Sequence, residues 1–409
     1  MSSRLPLWII ALGTTLGMQS VASFLNQSLP IIAPLLMAGA GLAPERIGNI
    51  SSLNSLGTVL FLMFGAPVLL RLGPIRSLQM GALLAVAGLA LAASGYWPLL
   101  IVAALLMGAG YAPSPPAGSK ILAATAPPDH RTLIFSIKQA GAPAGGALAG
   151  LILAPVAAIW GWSAALLVSI ALGLAACLVI SPVRLLLDGE RDSTQKIGLR
   201  QLFHPTHVAA PFHLLGQSPT MLSVTALAFS FAAVQGALTS FSITYLFTGL
   251  GLSLEQAGFA FACMQVAGVV ARILLGWLAD RTGRPAHNLT VQAFCAAVMM
   301  WFFAGLPVHP ALWGTSLICA GTGFLAASWN GIYMAEIARL SPPNRITEVT
   351  SSSTVVTFLG YIVGPSLYSL LVTIWGGWRM PFLVIAAQLA VMALVQTVVL
   401  ARRGPHARK

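Results

Sequence analysis

The chain is 409 residues long, 57% hydrophobic and only 7% charged, with a formal net charge of +12. So little polar surface cannot coat soluble domains of that size, which excludes a soluble enzyme or nucleic-acid binder and leaves a membrane protein. Apolar runs of about 20 residues, enough to cross a hydrocarbon core of roughly 30 Å, recur along the whole length, and about twelve are legible. The expected class is an all-α membrane protein with twelve transmembrane helices.

The charge reports sidedness. Of the 21 Lys and Arg, Arg46 and Arg379 fall in loops on one side and Lys120, Lys138 and Arg272 fall within spans, while the rest lie in loops and tails on the other side. By the positive-inside bias that second side is cytoplasmic, with both termini there, in a multi-pass protein of the cell inner membrane. Nothing after the first apolar run reads as a processed signal, so residues from about 7 onward are kept as the first helix. Cys177, Cys263, Cys295 and Cys319 sit in apolar spans without paired spacing. They read as packing residues, with no disulfide and no metal.

In chain order, the first helix carries Gln19, Ser23 and Asn26 at spacings of four and three, a single polar stripe. The fourth carries Tyr111 beside Pro113, Pro115 and Pro116, which loosen backbone pairing and favour a bend. Lys120 lies seven residues before Pro127 and Lys138 seven residues past the loop residue Arg131, each about 10 Å into the membrane at roughly 1.5 Å per residue. A lysine stem can snorkel toward headgroups, which is one account of Lys120. Lys138 shares a face with Gly141 and Gly145, and small-residue faces pack against helices rather than lipid. It is a candidate for solute binding or gating.

A polar segment over residues 184–219 forms the cytoplasmic linker between an N-terminal bundle, 1–183, and a C-terminal bundle, 220–409. Its His204, His207 and His213 are separated by Pro205 and Pro211, which interrupt any helix that would align them on a metal. The seventh helix repeats a polar stripe with Gln235, Thr239 and Ser242. On the eighth, Arg272 lies eight residues before Asp280, about 12 Å deep. This helix runs into Gly-Trp-Leu-Ala-Asp-Arg-Thr-Gly-Arg at Gly276–Arg284. There Gly276 and Gly283 supply a tight turn, Asp280 can accept from the amides that begin a neighbouring helix, and Arg281 and Arg284 mark the cytoplasmic side. The tenth helix adds Trp329, Asn330 and Tyr333, an aromatic and amide lining suited to a small organic solute. Of the nine acids, only Glu336 and Glu348 approach a span.

The chain also echoes itself at an offset of about 210 residues, half its length. Gly41–Gly48 echoes Gly251–Gly258, the loop Gly65–Arg76 echoes the Gly276–Arg284 motif, Pro127–Arg131 echoes Pro342–Arg345, and Ile159–Trp162 echoes Ile374–Trp378. The nonapeptide and the duplicated layout resemble the major facilitator superfamily of bacterial secondary transporters. The resemblance implies two pseudo-symmetric six-helix bundles rocking about a midplane site, with the first and seventh helices lining the cavity. It also implies that the fifth and eighth helices meet between the halves, so that Lys138 and Arg272 face each other. Related porters for oxalate, monocarboxylates and nitrate place a substrate-binding arginine at what looks like the position of Arg272, in an Arg-x-x-x-Gly context matched by Arg272 and Gly276. Three places depart from the family. Leu70 stands where the second loop copy has Asp280, Ala104 where a fourth-helix arginine is common, and Pro143-Ala144-Gly145-Gly146 is one residue short of the antiporter signature.

The expected function is alternating-access secondary active transport of a small organic solute. An organic anion, such as a carboxylate, is favoured because the first half has no intramembrane acid to hold a cation, while three cations share one depth. Candidate binding residues are Gln19, Asn26, Tyr111, Lys138, Gln235, Arg272, Trp329, Asn330 and Tyr333. Candidate gating residues are Gly276, Asp280, Arg281, Gly283, Arg284 and Glu336. Three alternatives stay open: the polar stripes can serve only as interhelical hydrogen bonds, Arg272 can pair with Glu336 or Glu348 in a cytoplasmic gate, and the function can be drug or metabolite efflux by proton antiport. An enzyme is disfavoured because no His, Asp, Ser or Cys converge and no phosphate loop is present. A receptor is disfavoured because the linker is too short for a soluble domain. No cofactor is implied; the partners are the solute, protons and the bilayer, and a monomer is expected.

Overall fold

The computed structural model describes residues 6–127, 130–188, 218–342 and 345–402, so His204, His207, His213 and most of the linker lie outside the described residues. Among these residues there is no strand. The chain forms two compact units, one of Met1–Leu42 with Leu53–His204 and one of Ala43–Ser52 with Pro205–Lys409.

The first unit is built on α1 (Leu7–Gly39), α2 (Ile47–Phe64, whose opening residues count with the other unit), α3 (Ala66–Leu72), α4 (Pro74–Ala92), α5 (Trp97–Tyr111), α6 (Ser114–Thr125), α7 (Arg131–Gln139), α8 (Gly141–Trp160), α9 (Trp162–Ile180) and α10 (Arg184–Leu187). Its core is aliphatic, with Ile75, Leu78, Ile121, Leu122 and Ile134 packed together. On α9 the large side chains Leu167, Leu174 and Leu178 stay exposed, an apolar face suited to lipid. Helix α8 lies so close to α1 that a methyl on Gly145 would collide with the Ser20 carbonyl. Only glycine fits there, and Lys138, at the end of α7, is buried rather than turned toward lipid. Helix α4 opens on Pro74, whose missing N–H costs nothing at that position. The next amide, of Ile75, donates to Asp188 Oδ1 at 2.7 Å, so the residue that follows α10 caps α4.

The second unit comprises α11 (Pro219–Thr244, continued by a π-helical turn, Tyr245–Gly249), α12 (Leu254–Thr282), α13 (Pro285–Ala304), α14 (Leu312–Ala326), α15 (Asn330–Leu340), α16 (Ile346–Trp375) and α17 (Arg379–Arg402). Here the core is aromatic: the rings of Tyr245, Phe303, Phe382 and Tyr368 pack with centroids 4.5 to 5.3 Å apart. A capping box starts α12, with Ser253 and Gln256 bonding each other's amides. Gly283, at φ +61°, ends it in the left-handed conformation that glycine adopts without strain. The turn is therefore shorter than the sequence motif led us to expect. Gly276 lies inside α12, because nothing in Trp-Leu-Ala-Asp-Arg-Thr breaks a helix, and only Gly283 and Arg284 make the bend.

Among the described residues, eleven helices are long and apolar enough to cross a membrane. The tenth expected span is absent from that set because it is broken at Ala327–Trp329 into α14 and α15, each too short to cross alone. The cysteines divide, too. Cys177 and Cys319 are buried as packing residues should be, but Cys295 is exposed and does not serve the core.

Candidate functional site

In the first unit the polar candidates gather where α5 gives way to α6. Pro113, Pro115 and Pro116 have no N–H, so the carbonyls four residues earlier, of Ala109, Tyr111 and Ala112, lose their helical donors and the helix breaks. Gln19 on α1 bridges the break. Its Oε1 accepts from Ser114 Oγ at 3.1 Å and its Nε2 donates to the Tyr111 hydroxyl at 3.3 Å. Lys138 reaches the same place. Its Nζ donates to the Pro115 carbonyl at 3.1 Å, and the absence of a side chain at Gly118, where a methyl would stand 2.8 Å from Lys138 Cε, leaves room for the stem.

Lys138 is 1% exposed. Its ammonium has three donors and one neutral acceptor, and among the described residues no carboxylate pairs with it. In this unit the described carboxylate Asp188 is committed to the Ile75 amide. An unpaired buried ammonium costs on the order of several kcal/mol, which an anion beside it would offset. Lys120 is half-buried and has a contact of its own, so its snorkelling is left open. Asn26, seven residues along α1 from Gln19, is half-buried with Oδ1 shielded and without a hydrogen-bond partner.

The second unit breaks its span without proline. Side chains from other helices take up the carbonyls freed at the end of α14: Gln292 Nε2 donates to Leu325 O at 2.8 Å and to Ser328 Oγ at 2.9 Å, and Arg272 donates through Nη2 to Ala327 O at 3.2 Å. The structure thus brings Arg272 to the break. Trp329, just past it, donates its indole N–H to Gln235 Oε1 at 3.0 Å, and the Tyr361 hydroxyl donates to the same oxygen at 2.8 Å. Trp329 stacks on Phe231 (5.8 Å, 12°), and Tyr333 packs against Trp329 while its hydroxyl meets Thr225 Oγ1 at 3.4 Å. Both Trp329 and Tyr333 are fully buried, so they hold the break together rather than present open ring faces. Asn330 is half-buried beside them. Sequence reasoning missed Gln292 and Tyr361. The available signal was weak: one amide early in the ninth span, and one of two tyrosines in the eleventh.

Glu336 is buried and held by Arg339 through two bonds of 2.7 Å, an exchange within one helical turn that neutralises it locally. The Glu348 side chain lies outside what is described. In the loop motif, Arg281 sits over the Trp277 ring at 5.4 Å and Thr282 Oγ1 accepts from Asn288 Nδ2 at 2.7 Å. Asp280 is exposed, and among the described residues it makes no hydrogen bond or ion pair. The neighbouring-helix amides expected to receive it are not among its contacts.

Two helical units with broken spans and buried polar groups at the breaks define a multi-pass membrane transporter. The chain belongs to the major facilitator superfamily, whose sequence profile matches residues 15–365. It is 22% identical over 402 residues to a hexuronate transporter of Bacillus subtilis (strain 168), covering 94% of each chain. It is 27% identical over 323 residues to a 4-hydroxybenzoate transporter of Pseudomonas aeruginosa, covering 72% of this chain and 71% of that one. In fold it is similar to an inward-facing bacterial homologue of the human lysosomal transporter Spinster, with a TM-score of 0.75 at 15% identity over 97% of each chain.

Proposed function

We propose that this transporter carries a small organic anion by alternating access, as a secondary porter of the bacterial inner membrane with both termini in the cytoplasm. The observation that carries the reading is Lys138, a buried ammonium whose one hydrogen bond goes to a neutral carbonyl. Such a cation is held at a cost unless its ligand is an anion. The hexuronate and 4-hydroxybenzoate relatives, by their names, carry organic acids, which supports the same class. Arg272, anchored at the Ala327 carbonyl, is the cation of the second unit that this reading assigns to the same solute, because a guanidinium suits a carboxylate. The rival reading, drug or metabolite efflux by proton antiport, would need a free deep acid, and Glu336 is already engaged by Arg339.

The test is solute flux in protein-only liposomes without ATP, together with binding of glucuronate and 4-hydroxybenzoate to purified protein. Lys138→Gln should weaken anion binding by roughly 2 kcal/mol, about 30-fold, the scale of a lost charge-assisted hydrogen bond. A folded Lys138→Gln protein that binds and transports anions like the parent would return Lys138 to a structural role.

A further inference from the structure

Gln235 differs from its first-half counterpart in one respect. The Gln19 amide is buried and occupied at both ends, by Ser114 at the oxygen and Tyr111 at the nitrogen. The Gln235 amide is occupied only at its oxygen, which accepts from both Trp329 Nε1 and the Tyr361 hydroxyl and so has both lone pairs committed. Its orientation is not ambiguous. An indole N–H can only donate, so turning the amide over would set donor against donor at Trp329. The nitrogen, with two N–H groups, therefore faces away from both rings. Among the described residues it donates to nothing, yet it is not among the shielded polar atoms, so it keeps accessible surface. Half-buried in a transmembrane helix, these N–H groups meet no acceptor among the described residues.

Trp329 cannot easily relax this arrangement, since it is clamped between Phe231 and Tyr333. Helix α11 also packs backbone to backbone on α16, which carries Tyr361: a methyl on Gly364 would strike the Ala233 carbonyl. We infer that Gln235 is a preorganised, donor-only contact for an oxygen acceptor of the transported solute, with Trp329 and Tyr361 as the positioning residues that aim it. The inference rests on the transporter reading above and adds a specificity element to it: the solute group at this position must accept hydrogen bonds, as a carboxylate or hydroxyl oxygen does. Preorganisation matters because an amide already oriented loses little rotamer freedom on binding.

The experiment compares binding of glucuronate, 4-hydroxybenzoate, glucose and tetraphenylphosphonium to the parent, Gln235→Leu, Gln235→Glu, Trp329→Phe and the double variant Gln235→Leu/Trp329→Phe. Gln235→Leu should weaken the bound solute about ten-fold. Gln235→Glu keeps the acceptor for Trp329 and Tyr361 but replaces both donors with a charge, so it should weaken the two acids more than glucose. Trp329→Phe should cost about three-fold on its own and nothing further in the Gln235→Leu background, a non-additivity that a purely structural tryptophan would not show. Binding of only glucose to the parent would sink the anion reading while leaving the loss on Gln235→Leu readable with glucose; binding of only tetraphenylphosphonium, which has no oxygen acceptor, would overturn both. A second readout needs no ligand: Gln235→Cys should react with 2-aminoethyl methanethiosulfonate above the background of the parent's four cysteines, and Trp329→Cys should not. An unreactive cysteine at 235, or unchanged binding of every bound probe by Gln235→Leu, overturns the proposal.

Discussion

Lys138 in the first unit and Arg272 in the second have surroundings that ask different things of them. The lysine ammonium is a point charge with one carbonyl partner, whereas the arginine sets both Nε and Nη2 on the Ala327 carbonyl at the end of α14. A planar guanidinium presents its donors in a fixed fork that an ammonium does not reproduce. Arg272→Lys should therefore keep the charge yet lower anion affinity, by roughly 1.5 to 3 kcal/mol, and it should also lower the melting temperature because the Ala327 carbonyl loses its donor. Isothermal binding and thermal melting on the same purified variant separate the two effects. Parent-like values in both would show that only the charge matters there.

At the scale of elements, the helix ends explain themselves through groups distant in the chain. In the first loop copy Leu70 replaces the motif carboxylate, and α4 is capped instead by Asp188, from the end of α10. Burial pushes the Asp188 carboxyl above its ordinary value, opposed by hydrogen bonds from the Ile75 and Arg76 amides and by the charges of Arg76 and Arg184. A carboxyl raised on folding adds stability below its unfolded pKa, and that contribution is lost as pH rises through the folded value. Asp188→Asn, which keeps an acceptor for Ile75, should thus be at least as stable as the parent at neutral pH, and its advantage should shrink as pH falls to about 4. Asp188→Ala removes the cap and should cost about 1 kcal/mol. Thermal melts of the three proteins in detergent across that range check the sign; an Asn variant that loses ground at neutral pH would show that the ionised cap outweighs its burial.

For the whole molecule, the coupling question turns on Glu336. Both of its carboxylate oxygens are engaged by Arg339 rather than left for the solute, so Glu336→Gln need not abolish exchange of one anion for another. Exchange and net uptake should be measured side by side in liposomes. If both are lost in a folded mutant, Glu336 does more than couple protons. Exchange that survives while proton-driven uptake fails would assign it to coupling alone.

The sequence by itself determined the number of spans, the duplication and that Lys138 and Arg272 fall within spans, because hydrophobic length and internal similarity are properties of the chain read locally. It also located the fourth-helix break, since proline removes donors wherever it stands. Only the tertiary structure distinguished Gln19 from Gln235, which occupy equivalent stripes. A stripe says which face of a helix is polar, but the partners come from helices about ninety or more positions away, and their identity depends on how the helices cross. The same reason hid Gln292 and Tyr361, the Glu336–Arg339 pair, and the second break at Ala327–Trp329, where no proline announces the kink and side chains from α12 and α13 take up the freed carbonyls instead.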